Sequence, residues 1–119
     1  MSDLRNVTVG NGDNAAIRSL NDRFRMKGIG NGSVMITIGI QNQGEVFVSQ
    51  AAAAIRSHTT FTKDSDPWNE HDFGVVEVAS EKVFWKIDYY DTSLTAGSED
   101  PANEAITHRV LTIMLASEY

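Results

Sequence analysis

The stretch DFGVVEVASEKVFWKIDYYD, residues 72–91, decides the class of fold. Both of its halves are rich in valine and aromatic residues, and apolar and polar side chains alternate in the second half. Strands with one buried face show this period of two. The residues from Ala79 to Glu81 can form a turn, so the stretch predicts a β-hairpin. Its second strand should have two faces, formed by Val83, Trp85, Ile87 and Tyr89 on one side and by Phe84, Lys86, Asp88 and Tyr90 on the other.

Residues 13–27, upstream of the hairpin, predict a first helix. One face carries the apolar residues Ile17, Leu20 and Phe24. Basic residues gather near the end of this segment, where the helix dipole favours cations. Asp13 or Asn14 is the expected N-cap, because short polar side chains accept hydrogen bonds from the free amides of the first turn.

A strand and a second helix are predicted between the first helix and the hairpin. Residues 33–40 alternate, with Val34, Ile36, Ile38 and Ile40 on one face, as in a strand. Residues 44–57 begin with a segment that would suit a strand. However, helical spacing relates Phe47, Ala51, Ala54 and Ile55, and this spacing favours a helix.

Residues 104–119 predict a final helix. Its buried stripe would consist of Ile106, Val110, Ile113 and Met114. Asp100 and Pro101 stand where an N-cap and a first helical residue are expected, since proline fits the first turn of a helix.

The predicted fold is therefore α+β, with the element order α-β-α-β-β-α. A small three-stranded sheet that contains the hairpin should pack against about three helices. A chain of 119 residues is a normal size for one domain. We expect a single domain over residues 1–119, with residues 1–10 as a loose N-terminal lead.

The net charge of −6 is distributed unevenly along the chain. Residues 64–104 contain eleven acidic and two basic residues, whereas residues 1–63 contain four acidic and seven basic residues. Nucleic acids bind proteins largely through lysine and arginine, so the acidic segment disfavours direct nucleic-acid binding. The same segment favours binding to a basic protein surface.

The chain contains no cysteine, which excludes disulfide bonds, thiolate metal sites and a cysteine nucleophile. The first thirty residues lack the apolar core of a signal peptide, and no apolar run approaches the ~20 residues that span a bilayer. These features lead us to expect a cytoplasmic protein that does not bind membranes.

The segment DPWNEHDFG, residues 66–74, concentrates three carboxylates, a histidine and a tryptophan. One interpretation is structural: Asp66 before Pro67 opens a turn into the hairpin, Trp68 fills the edge of the core, and Asp72 or His71 bonds backbone amides. The other is a metal site, because imidazole and carboxylate ligands suit zinc or iron. In that interpretation Glu70, His71, Asp72 and Asp88 form a small metal-dependent enzyme. We predict no catalytic residue, resident metal or cofactor from this pattern.

Other familiar sites lack their motifs. Gly28, Gly30 and Gly32 follow a helix and precede a strand, whereas phosphate-binding glycine loops follow a strand and open a helix. A G-x-S-x-G nucleophile elbow is also missing from the sequence.

Five segments resemble a family of small bacterial proteins known only as a domain of unknown function: IRSLNDRFR, DPWNEHDFG, VFWKIDYYD, SLTAGSEDPA and RVLTIMLASEY. The resemblance extends over nearly the whole chain. Members of that family are often found on plasmids and other mobile elements, so the resemblance implies a bacterial origin. It implies no catalytic residue.

Three hypotheses for function follow. The first is an acidic protein-interaction module, which would serve as a mobile-element accessory protein or an anti-defence inhibitor and bind a basic, nucleic-acid-binding protein through residues 62–74 and 91–104. The second is the metal-dependent enzyme described above. The third is a self-associating structural domain, for example a homodimer that pairs through its hairpin. The candidate binding residues are Asp64, Asp66, Trp68, Glu70, His71, Asp72, Tyr90, Asp91, Glu99 and Asp100.

Overall fold

The computed structural model describes the backbone of residues 4–119 and the side chains from Asp13 onward. The helices are α1 (Leu4–Lys27), α2 (Ile38–Gln41) and α3 (Glu45–Arg56). The strands are β1 (Gly32–Ile36), β2 (Phe73–Val78), β3 (Glu81–Tyr90) and β4 (His108–Leu115). Two short 3₁₀ helices, Glu104–Ile106 and Ala116–Glu118, flank β4.

The four strands form one mixed sheet in the order β1-β4-β3-β2. β1 runs parallel to β4, and the other two pairs are antiparallel. As a result, β1, β2 and β4 begin at the end of the sheet where β3 finishes. The loops 28–31, 57–72 and 91–107 therefore meet at this end.

The predictions of a three-stranded sheet and of a final helix are wrong, because residues 108–115 form a fourth strand, β4, which is one of the two inner strands of the sheet. β4 pairs on both sides and has apolar residues on both faces, which hides the period of two. Val110, Ile113 and Met114 reach helical spacing only by coincidence. Asp100 accepts from the amide of Ala102 within a loop and does not cap a helix.

The first strand is shorter than predicted. It ends at Ile36, and Thr37 caps α2 by accepting from the amide of Ile40. Asp13 and Asn14 lie inside α1 and do not cap it, because α1 begins at Leu4.

The first helix, the helix over residues 44–57 and the hairpin are confirmed as elements. The predicted lead over residues 1–10 includes residues 1–3, which lie outside the described residues. That the whole chain is one domain stays a prediction. Among the described helices, none combines the length and the apolar character needed to cross a membrane.

Trp85 occupies the centre of the core and is fully buried. α1 and α3 pack over the face of the sheet that carries it, together with apolar residues of β3 and β4. This core includes Phe24, Phe47, Ala51, Ile55, Val83, Ile87, Leu111 and Ile113. On the neighbouring strand β2, Gly74 pairs with Trp85 and leaves room for the indole ring.

Replacing Gly74 with alanine should destabilise the fold. A Cβ atom at position 74 would lie 2.5 Å from the indole nitrogen of Trp85, so either strand β2 or the indole ring must shift. We expect a loss of about 1–3 kcal/mol in the free energy of unfolding, as for other overpacked cores, measured by urea denaturation. Gly97→Ala is the control, because a Cβ atom there meets only the carbonyl oxygen of Tyr89 at 3.8 Å. Equal stability of both variants would contradict this packing.

Candidate functional site

A buried asparagine joins α1 to the sheet at the end where the loops meet. Asn21 lies on the face of α1 that also carries Ile17 and Phe24, and it is completely buried. Its side-chain amide donates to the carbonyl oxygen of Glu70 at 3.0 Å and to the hydroxyl of Tyr89 at 2.8 Å. Its side-chain oxygen accepts from Nε of Arg109 at 2.6 Å. Asn21 thus bonds to β3, to β4 and to the loop before β2.

Two acidic loops lie at this end, residues 62–74 and residues 91–104, and Arg109 extends the network to the second of them. It lies at the start of β4, and its side chain is buried against the ring of Tyr89, with 5.2 Å between the guanidinium carbon and the ring centre. Its Nη2 donates to the carbonyl oxygen of Pro101 at 2.6 Å. Through Asn21 and Arg109, the backbones at Glu70 and Pro101 are held in one hydrogen-bonded network.

The loop before β2 is shaped by the buried carboxylate of Asp66. Its two oxygens accept from the amides of Glu70 and His71, at 2.9 and 3.1 Å. Asn69 and His71 both have positive φ angles, 55° and 57°. The hydrogen bonds to Asp66 help to hold this left-handed backbone conformation, which most residues avoid. These contacts agree with the structural interpretation of DPWNEHDFG as a turn, but the acceptor of the backbone amides is Asp66 and not Asp72 or His71. Trp68 does not fill the edge of the core, because its side chain is largely exposed.

His71 attaches the same loop to α1. Its Nδ1 lies 2.8 Å from a carboxylate oxygen of Asp22. The imidazole also stacks on Phe61, with 3.8 Å between ring centres and 6° between ring planes. Asp22 therefore fixes the position of the ring nitrogen of His71, and Phe61 fixes the plane of its ring.

Carboxylates gather around the hydroxyl of Tyr89. Tyr89 donates to Oε1 of Glu70 at 2.9 Å, and burial raises the pKa of Tyr89 so that the hydroxyl stays protonated. Burial, together with the nearby carboxylates of Glu70 and Asp66, raises the pKa of Asp72 to about 6. The cluster favours protonation of one carboxyl group at mildly acidic pH.

The predicted binding residues fall into two groups at this end of the sheet. Glu70, His71 and Asp72 are half-buried, and Asp66 is buried, so these four mainly hold the loops. The exposed residues are Asp64, Trp68, Glu99 and Asp100. Trp68 is 70% exposed, which is unusual for so large an apolar side chain.

Tyr90 and Asp91 lie apart from this group. Tyr90 is on the other face of β3, where it lines a groove with Leu94 and Lys86. Asp91 accepts from the amide of Thr95, a bond that lowers the pKa of Asp91 and fixes the turn after β3.

The metal site of the second hypothesis is not assembled. Asp88 lies on the face of β3 opposite Tyr89, and its carboxylate contacts Nζ of Lys86 at 2.6 Å. His71 is already bonded to Asp22. In the part of the chain with described side chains, no three histidine, aspartate or glutamate side chains converge as metal ligands would.

Sequence reasoning did not identify Asn21, Asp22 or Arg109. The signal for Asn21 was its position, four residues after Ile17 and three before Phe24, on the apolar face of a helix. A polar residue in such a position needs buried partners. Arg109 was hidden because its strand was interpreted as a helix.

A family model described as "Protein of unknown function (DUF3768)" matches residues 36–118. The match includes both acidic loops, the hairpin and β4, whereas α1 with Asn21 precedes it. No curated protein and no solved structure matches the chain.

Asn21→Ala should destabilise the fold and loosen both acidic loops. The change removes three hydrogen bonds and leaves Nε of Arg109 buried without its acceptor. Loss of a buried partner costs about 1–3 kcal/mol, so we expect at least that decrease in the free energy of unfolding. Urea denaturation measures it, and hydrogen exchange of the loop amides reports the loosening. Asn14→Ala, on the same helix, should have little effect.

Asp72 should make stability depend on pH. Its pKa is raised from 3.8 to about 6, so the folded state binds more protons than the unfolded state between these values. This contribution to the free energy of unfolding is present below about pH 4 and is lost as the pH rises through about 6. Asp72→Asn should therefore gain stability relative to wild type from pH 4 to pH 7 in urea titrations.

The control for this titration is Asp64→Asn, since Asp64 is exposed. The difference in stability between this variant and wild type should change less with pH than the difference measured for Asp72→Asn. If the stability of the two variants relative to wild type changes with pH in the same way, Asp72 is not the source of the pH dependence.

Proposed function

The chain belongs to the DUF3768 family, whose members are proteins of unknown function, and we propose that it is a protein-interaction module. Its binding surface is the acidic end, which we define as residues 62–74 and 91–104. The partner in this proposal is a protein with a basic surface. The observation that carries the proposal is the network of Asn21 and Arg109, which holds the two acidic loops side by side.

The charge of the acidic end supports this function. It contains eight acidic residues and one lysine, a formal charge of −7. Like charges repel, so gathering them has an electrostatic cost that a basic partner would relieve. Arg23 pairs with Glu104 at 2.6 Å, but Asp64, Glu99 and Asp100 have no ion-pair partner among the described side chains.

Trp68 supplies the apolar anchor. Tryptophan is strongly enriched among the residues that dominate binding energy at interfaces. Here it stands on a loop whose backbone is fixed at Glu70 and His71 by Asp66. A pre-ordered anchor loses less conformational entropy on binding than a mobile one.

The partner that best fits this surface is a basic, nucleic-acid-binding protein in the bacterial cytoplasm. Carboxylates on the acidic end would occupy positions that phosphates occupy in the partner's own complex. Binding would then inhibit the partner by competition. An accessory or anti-defence role on a mobile element accords with this mechanism.

The test begins with capture of binding proteins from nuclease-treated bacterial lysate, followed by affinity measurement with the recovered protein after purification. The variant Asp64→Lys/Glu99→Lys/Asp100→Lys should weaken binding at least about tenfold, which corresponds to about 1.4 kcal/mol. Trp68→Ala should weaken it to a similar extent. Binding should also fall as salt rises, because exposed charges are screened.

The matched control is Glu45→Lys/Glu77→Lys/Glu81→Lys. It changes the net charge by the same amount at exposed positions away from the acidic end. The control should retain most of the affinity. If both triple variants lose affinity equally, net charge alone determines binding, and the acidic end is not a specific surface.

A further inference from the structure

Edge strand β1 has backbone groups that pair with no other strand in the described part of the chain. β4 is its partner in the sheet, and β1 stands at the edge. Asn31 accepts from the amide of Arg109, and Thr37 donates to the carbonyl of Ile113. Because this pairing alternates along a strand, residues 33 and 35 also face β4, whereas Gly32 and Val34 direct their amides and carbonyls outward.

This edge lacks the usual protection against pairing. Natural edge strands are commonly guarded by charged residues, proline or a bulge. The sequence of β1, GSVMI, contains neither a charge nor a proline. Val34 and Met35 are 56% and 57% exposed. The other edge strand, β2, carries the exposed charge of Glu77.

A crevice opens beside β1 on the side of Val34. It lies between the ends of α1 and α3 and the sheet, and its volume is about 340 Å³. Its apolar walls are formed by Phe24, Val34, Ile55, Leu111 and Ile113. A cavity of this size can accept an apolar side chain from a strand added at the edge.

Cations surround the same crevice. Lys27 and Arg56, from the last turns of α1 and α3, line it and are exposed. Neither has an ion-pair partner among the described side chains. Arg25 also lines the crevice; it is buried, and its Nε has no hydrogen-bond partner there. We name these three cations and the five wall residues the cationic crevice.

We propose that β1 binds an extended acidic segment of a partner protein as a fifth strand. An apolar side chain of that segment enters the cationic crevice, and acidic side chains two residues to either side lie near Lys27 and Arg56. The two-residue spacing follows from the alternation of side chains along a strand. Backbone bonds to Gly32 and Val34 hold the segment in an antiparallel register. This surface is distinct from the acidic end, so the inference goes beyond the proposed function.

The positive charge around the cationic crevice favours an acidic segment, and not a second copy of this chain, as the strand that pairs with β1. Antiparallel pairing of two β1 strands about Val34 would place both cationic crevices on one side of the joined sheet. Lys27 and Arg56 of the two copies would then face like charges across a twofold axis. An acidic strand instead neutralises them, as complementary potentials at interfaces do.

The probe for this site is the synthetic peptide acetyl-TETVTET-amide, in which glutamate, valine and glutamate share one face. Titration into ¹⁵N-labelled protein should shift the amide signals of Gly32–Ile36 and of Lys27 and Arg56. The lysine peptide acetyl-TKTVTKT-amide should bind at least about tenfold more weakly. Methylation of the backbone nitrogen of the peptide's valine should also reduce binding, because it removes the N–H group that would donate to the carbonyl oxygen of Val34.

Two protein variants separate backbone pairing from charge. Val34→Pro removes an amide that points outward, a change that edge strands tolerate, and should abolish peptide binding. Val34→Thr keeps the amide and should still bind. Lys27→Glu/Arg56→Glu should reverse the preference, so that the lysine peptide binds more tightly than the glutamate peptide. Thermal unfolding verifies that each variant is folded.

The acidic-end variant Asp64→Lys/Glu99→Lys/Asp100→Lys should bind the peptide as wild type does, which distinguishes this inference from the proposed function. Shifts confined to residues 62–74 and 91–104 would overturn it. Unchanged binding of the N-methylated peptide would do the same. A dimer in sedimentation that Val34→Pro dissociates would identify a second copy as the occupant of β1.

Discussion

The buried side-chain amide of Asn21 is the interaction on which the organisation of the acidic end depends. One polar group on the apolar face of α1 makes three hydrogen bonds, and each leads to a different element. Burying an amide without partners would cost several kcal/mol, so α1, β3, β4 and the loop before β2 must meet in the correct arrangement. Arg109 then transfers this constraint to Pro101 in the second loop. A polar contact thereby specifies where two charged surface loops lie.

The molecule has opposite charges at separate places. The acidic end belongs to the two loops joined by Asn21 and Arg109, whereas Lys27 and Arg56 stand at the rim of the cationic crevice. Arg25 is the buried cation of this crevice, with its guanidinium carbon 4.9 Å from the ring centre of Trp85. Burial lowers the pKa of Arg25, and the aromatic ring and Asp22 offset part of that cost. Two surfaces of opposite charge on one small chain would allow it to bind two different partners.

In the two proposals, the acidic end and the β1 edge bind their partners by different means. The acidic end is formed by loops, and side-chain charge would dominate binding there. At the β1 edge, backbone groups would pair with an extended chain, and the cationic crevice would add selectivity through shape and charge. Loops can change sequence with little effect on the sheet, whereas the edge is tied to β4 through its register.

The sequence by itself determined the α+β class, the first and third helices, the hairpin and the two faces of β3. These features rest on local periodicity, which a single strand or helix displays without help from the rest of the chain. The sequence also determined that residues 64–104 are acidic. Only the tertiary structure decided that residues 108–115 form a strand, because β4 has apolar residues on both faces and so lacks the period of two that β3 shows. Only the tertiary structure brought Asn21 to Glu70, Tyr89 and Arg109, because these contacts join residues 49 to 88 positions apart, and no local pattern encodes them.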